Sequence, residues 1–234
     1  MKSGVLGSVV GAVTVCVALV AAGPAGAALT VSGTGDSGGC SLRATIEDVN
    51  NGTAGGCGTL EGNDTTIDVP AGHYVLASGE LKVKAPANVT LVGADPANPG
   101  ATTIDGGETN RVLEVAAGAG AILDGIEVTG GATLHGTDSS VPDGSGGFGE
   151  DGGGILNKGA VTLEHVLVTG DTTGRGGNGG GGTLSNGTAR NGGGGGKGGN
   201  GAGIDNEAGA SLSVIASTIA GNRTGDGGAG GNGG

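Results

Sequence analysis

From Thr65 onward the chain runs through short stretches in which apolar and polar residues alternate: TTIDVP, HYVLAS, ELKVKA, NVTLVG, TTIDGG, RVLEVAAG and AILDGIEVTGG. Each is rich in Val, Ile, Leu and Thr and ends in Gly, Pro, Asn or Asp, which predicts a series of short β-strands joined by tight turns. No segment after residue 52 has the length or 3.6-residue period of a helix. Before that point the pattern differs. Leu29 to Asp36, LTVSGTGD, reads as a first short strand. In CSLRATIEDVNNG, Leu42, Ile46 and Val49 recur at helical spacing, Ser41 is placed to cap the N-terminus, and Asn50-Asn51-Gly52 supplies a stop.

The apolar pattern repeats. GGGILNKGAVTLEHVLVTGD (Gly152–Asp171) and GAGIDNEAGASLSVIASTIAGN (Gly201–Asn222) align Ile155 with Ile204, Asn157 with Asn206, Leu163 with Val214, Val168 with Ile219 and Gly170 with Gly221. A partial third copy, Ala121–Gly131, keeps Leu123, Val128, Thr129 and Gly130 in phase with Leu163, Val168, Thr169 and Gly170. Two all-β architectures compete for strands this short, an antiparallel sandwich and a parallel β-helix. In-phase recurrence favours the second, because each unit is too small to bury its own apolar face and does so against its neighbours. Asn157 and Asn206, at equivalent places, are expected at a corner, forming a structural amide ladder rather than a ligand site.

Composition narrows the core. With one Tyr (Tyr74), one Phe (Phe148) and no Trp, the interior must be built from small aliphatic residues. Glycine, 61 of 234 residues, lacks the G-X-Y period of collagen. It concentrates at about 131–154, 170–203 and 222–234, and these inserts are expected to leave the framework as flexible surface loops, since they hold too little apolar surface to offset their ordering entropy. The net charge of −12 argues against nucleic acid and against anionic lipid surfaces.

Lys2, the apolar run Val5–Val20 and the small-residue site Ala25-Gly26-Ala27 read as an export signal spanning 1–27, with Cys16 leaving when it is cleaved. A retained membrane anchor is the alternative, for which Val5 to Ala22 has just the length. The remaining cysteines, Cys40 and Cys57, are expected to form a structural disulfide in an oxidising compartment, free thiols being the alternative. Zinc is disfavoured because no His lies near the pair.

Residues 40–50, CSLRATIEDVN, resemble the CSLREA-type N-terminal motif of exported bacterial right-handed parallel β-helix proteins: Cys40, Ser41, Leu42, Arg43, Ile46 and Asn50 match, while Ala44 and Thr45 replace the usual Glu-Ala, so any role of that glutamate is lost. The stretch Val69–Gly131 resembles the family's opening units. The resemblance implies a cap over the first unit. The expected fold is therefore all-β, a right-handed parallel β-helix (solenoid) with a short N-terminal helical cap and Gly-rich loop insertions. The expected divisions are 1–27 signal peptide, 28–60 cap and 61–234 β-helix, truncated at its C-terminus with any C-terminal anchor unseen. GGAGGNGG at Gly227–Gly234 also resembles glycine-repeat surface proteins, for which stacked polyglycine strands are the alternative to loops.

Chemistry is sparse. Asp105, Asp124, Glu127 and Glu164 lie near strands, and Asp124 aligns with Glu164, which suits a solvated ladder as readily as a calcium site; calcium is the one cofactor kept in view. His73, His135 and His165 occupy unlike contexts, and Glu164 and His165, as consecutive strand residues, face opposite ways. No catalytic, cofactor or metal site is assigned. The expectation is a secreted or cell-surface protein with an adhesion, binding or scaffolding role, its partners other cell surfaces or polysaccharides, and its only membrane contact the signal segment or an unseen anchor. The alternative is a polysaccharide lyase or glycoside hydrolase of the pectate-lyase-like type, which needs carboxylates and a cation converging on one groove. Lys82, Lys84, Arg111 and Lys158 are the cations near strands.

Overall fold

The structure, a computed structural model, describes residues 28–60, 62–185 and 187–234; the expected signal segment and Cys16 lie outside them. β1 (Ala28–Thr30) and α1 (Leu42–Asn51) precede β2 (Asp64–Val69), β3 (Gly72–Val75), β4 (Leu81–Val83), β5 (Asn88–Gly93), β6 (Thr102–Asp105), β7 (Leu113–Val115), β8 (Gly120–Asp124) and β9 (Glu127–Thr129). Then come β10 (Ile155–Asn157), β11 (Ala160–Glu164), β12 (Leu167–Thr169), β13 (Leu184–Ser185), β14 (Thr188–Ala189), β15 (Ile204–Asn206), β16 (Ser211–Ile215) and β17 (Thr218–Ala220). Sheet I has the order β1-β2-β5-β8-β11-β16, sheet II β15-β10-β7-β4, and sheet III β17-β12-β9-β6-β3; all three are parallel, while β13 and β14 form an antiparallel pair.

Register follows the period-2 alternation read from sequence. Ile67, Leu91, Leu123, Leu163 and Val214 stack in one column of sheet I. Tyr74, Ile104, Val128, Val168 and Ile219 stack in sheet III, and Leu81, Leu113, Ile155 and Ile204 in sheet II. These columns form one buried cluster between the sheets, except at the last strands, where Ile204 is half-buried against it and Val214 and Ile219 are exposed. Thin aliphatic layers suffice because each side chain packs on its counterpart 4.7–4.9 Å away, the ordinary strand spacing. Tyr74 fits the same slot because its hydroxyl donates to the Pro70 carbonyl at 2.8 Å.

The expected fold class is corrected in two respects. An all-β, right-handed parallel β-helix is not what the described residues form: they form four separate open sheets, three parallel and one an antiparallel pair, none closed into a barrel, together with a packed α-helix, an α/β-like arrangement. The corners account for this. Gly125, His165 and Ala216, equivalent in successive repeats, take φ of 65°, 52° and 47°, and Gly130, Gly170 and Gly221 take 62°, 71° and 70°. A left-handed residue turns the strand out of its plane, so no hydrogen-bond ladder continues from one sheet into the next.

The second correction concerns the Gly-rich inserts, which are not surface loops. Gly176, Gly179 and Gly182 donate to the carbonyls of Asp226, Ala229 and Asn232; Gly193, Gly196 and Gly199 donate to Gly180, Gly177 and Gly174; Gly228 and Gly231 donate to Gly196 and Gly193. Bonding at every third residue is the period of polyproline II, which has no internal hydrogen bonds and so offers its N–H groups to neighbouring segments. Glycine is required by contact distance: a Cβ on Gly196 would lie 1.8 Å from the Gly147 oxygen, and one on Gly193 1.8 Å from that of Gly144. The inserts are held by backbone hydrogen bonds rather than by apolar burial, which composition alone did not weigh.

Candidate functional site

The N-terminal motif forms α1, which packs against β2 and against β4, the edge strand of sheet II. Ser41 caps α1, its Oγ accepting from the Ala44 amide at 3.2 Å, and Gly52 ends the helix at φ 65°. Leu42 and Ile46 are buried. Arg43 reaches outward, donating to Asp36 Oδ1 at 2.9 Å and to the carbonyls of Glu80 and Gly79 at 2.7 and 2.5 Å. Asn50 donates from Nδ2 to the Lys82 carbonyl at 2.7 Å, and its Oδ1 accepts from the Lys84 amide at 2.8 Å. It therefore satisfies the open edge of β4 as a neighbouring strand would. Cys40 and Cys57 form a disulfide, Cα–Cα 5.5 Å, beside the bonds from the Ser32 amide to the Cys40 carbonyl and from the Thr30 amide to the Cys57 carbonyl.

On the outer side of sheet II, successive units bring charges together. Lys82 Nζ lies 2.7 Å from Glu114 Oε1 and 4.0 Å from Glu80; Lys158 lies 3.6 Å from Glu114 and 3.9 Å from Glu207. Arg111 pairs with Glu80, approaches Glu114 at 3.9 Å, and donates to the carbonyls of Gly152 and Asp151 at 2.8 and 2.9 Å. Burial of Glu114 opposes its ionisation, but the hydrogen bond from Lys82 and the charges of Lys158 and Lys82 outweigh it and hold the carboxyl below its ordinary range. Asp205, on the same face, is pushed up by burial and by the charges of Asp151 and Glu207, against the pull of Arg111. Of the cations named from sequence, Lys82, Arg111 and Lys158 converge; Lys84 has no place in this group. Sequence reasoning missed Glu80, Glu114 and Glu207, although Glu80 and Glu114 lie close in the chain to Lys82 and Arg111.

Sheet I presents a different surface. Thr66, Thr90, Ile122, Thr162 and Ser213 form one outward column in register, beside a column of Asp64, Asn88, Gly120, Ala160 and Ser211. Where the second column shrinks to Gly120 and Ala160 a shallow groove of about 460 Å³ opens, with Asp64, Asn88 and the threonines along its length. Ile122 is 40% exposed in it, and Asn88 Nδ2 donates to Asp64 Oδ1 at 2.6 Å.

The remaining candidates fall elsewhere. Asp124 stacks against Glu164 as aligned, yet its Oδ1 lies 2.9 Å from Nδ1 of His165. His73 Nε2 lies 2.7 Å from Asp105 Oδ2. Both pairs join adjacent units, so neither is visible as a local motif. Glu127 accepts from Thr103 Oγ1 at 3.0 Å, and His135 Nδ1 accepts from the Arg175 amide at 3.0 Å. Among the described residues no three His, Cys, Asp or Glu side chains gather where they could hold a metal ion, and no helix is long and apolar enough to cross a membrane. Compared with protein-family models, curated proteins and solved structures, the chain matches none.

Proposed function

We propose that this is an exported scaffold, secreted or held at the cell surface, that binds polysaccharide or another cell surface through the open face of sheet I. The observation that carries the reading is the in-register column Thr66, Thr90, Ile122, Thr162 beside the gap at Gly120 and Ala160. Uncharged hydroxyls along its length and an apolar floor at Ile122 suit a neutral, hydroxyl-rich polymer, with affinity summed over several weak contacts. The disulfide is consistent with an oxidising, extracellular environment. Retention of the protein on insoluble polysaccharides or whole cells tests the proposal. If nothing is retained, only a structural role is left.

A second reading, a polysaccharide lyase or hydrolase, draws support from the convergence of Glu80, Glu114, Lys82, Arg111 and Lys158 on sheet II. Glu80 and Glu114, however, are both already matched to cations, the arrangement of a cross-unit salt-bridge network. Incubation with pectin and alginate, with and without calcium, decides it: new reducing ends or unsaturated products would establish turnover and displace the scaffold reading.

A further inference from the structure

Asp171 is a fully buried carboxylate that neither the N-terminal helix, the charged face nor the groove uses. It stands where the glycine segments leave the sheets. β12 ends at Thr169, Gly170 turns the chain at φ 71°, and Asp171 follows. Its Oδ1 accepts from the Gly131 amide at 2.7 Å, its own amide donates to Asn222 Oδ1 at 2.9 Å, and its carbonyl accepts from the Arg223 amide at 2.8 Å. Oδ2 has no hydrogen-bond partner among the described residues.

The carboxyl touches both ends of the 131–154 segment. A Cβ on Gly131 would lie 2.8 Å from Oδ1, and one on Gly154 would lie 2.5 Å from Oδ2 and 2.6 Å from the Gly203 carbonyl oxygen. Side chain and carbonyl oxygen thus crowd the same point, where the 170–203 segment also returns. The charged group that Asp171 feels is Asp105 on β6, itself bonded to His73 on β3 and to the Gly107 amide. The charges that the glycine segments carry, among them Glu150, Asp151 and Arg175, do not act on it, and Arg223 spends its side chain on Asp226 at 2.9 Å.

We propose that Asp171 is a proton-dependent clasp at the neck of the glycine segments. Neutral, the carboxyl keeps the bond from the Gly131 amide and packs against Gly154, closing the neck on β12; ionised, it leaves a charged Oδ2 buried without a hydrogen-bond partner, and the neck loosens. Burial pushes the group up, the Gly131 amide opposes this in part, and the Asp105 charge adds to it, bringing the pKa to about 7. The sign is set by the unfolded chain, where Asp titrates near 3.9. Between about pH 4 and 7 the folded state binds the extra proton, so stability falls as pH rises through that window and levels off above it. The repeat supplies its own control, because the equivalent position in the next copy is Asn222, an amide that offers donor and acceptor at every pH.

The test compares the protein with D171N. The native Tm is expected to fall on the order of 10 °C between pH 5 and 8, and D171N to lack that fall. The His73–Asp105 pair is present in both, so the difference isolates Asp171. Amide exchange at Gly131 and Gly154, corrected for intrinsic base catalysis, is expected to quicken at least roughly tenfold over the same range in the native protein alone. Parallel Tm profiles overturn the clasp, as does a shift in Tm without faster exchange at the neck. Should D171N fail to fold, the carbon shift of the Asp171 carboxyl in the native protein decides: titration in the ordinary acid range overturns the proposal.

Discussion

Asn157 donates from Nδ2 to Oδ1 of Asn206, its partner one strand on in sheet II, at 2.7 Å, and to the Ser211 carbonyl at 2.8 Å, while its Oδ1 accepts from the Gly159 amide at 3.0 Å. Asn157 is fully buried and Asn206 is not. N157A removes three hydrogen bonds at once from a fully enclosed side chain and is expected to cost about 2–4 kcal/mol, whereas N206A is expected to cost under about 1 kcal/mol. Urea unfolding of the two variants measures the difference.

Two glycines of one tract have opposite surroundings. A Cβ on Gly196 would sit 1.8 Å from the Gly147 oxygen, while one on Gly194 meets nothing within 4 Å. G196A is expected to destabilise by at least about 2 kcal/mol through overpacking. G194A is expected to be neutral or to stabilise by up to about 1 kcal/mol, by narrowing the unfolded ensemble. Equal effects in calorimetry would mean that the inserts are not packed as described.

Reducing the Cys40–Cys57 bond, or replacing both residues with Ser, is expected to lower stability by about 3 kcal/mol on the chain-entropy model. The loss shows as a drop in Tm under reductant that the double variant does not share.

Glu114 holds Lys82 at 2.7 Å and Lys158 at 3.6 Å. E114Q is expected to cost about 1–3 kcal/mol, the usual worth of hydrogen bonds to a charged group. Because the folded carboxyl titrates below its ordinary range, its contribution is complete above the unfolded pKa and lost as pH falls through the folded one. E114Q is therefore expected to differ most from the native protein near neutrality and to converge with it in acid, as unfolding at several pH values would show.

The groove on sheet I has its own probe. I122E places a charge on the apolar floor and T90K fills the hydroxyl column, and both side chains point outward, so folding is expected to be unchanged while retention on polysaccharide falls at least about tenfold. Binding that survives both changes would move the site to another face.

The stacking register was legible because apolar residues at alternate positions leave one way to keep them on a common face: Leu123, Leu163 and Val214 align in sequence and in sheet I alike. The helix was legible from Leu42, Ile46 and Val49 together with its cap, Ser41. The charged face was not. Lys82, Glu114 and Lys158 meet because β4, β7 and β10 pair side by side, and residues 32 and 44 positions apart carry no mark of that pairing. The sheet I groove was hidden in the same way, since it exists only where Gly120 and Ala160 fall next to one another.

By itself the sequence determined the strands outside the glycine tracts, the helix, the repeat phase and the cysteine pair, all of which follow from local spacing and side-chain type. Tertiary structure alone decided that the strands divide among open, separate sheets, that glycine tracts pack instead of looping out, and that Asp171 is enclosed. Each of those depends on what neighbouring segments offer: a left-handed corner breaks the ladder, a partner carbonyl at every third residue gives a glycine N–H its bond, and Gly131 and Gly154 together close the neck around a carboxyl that nothing in its own stretch of chain would bury.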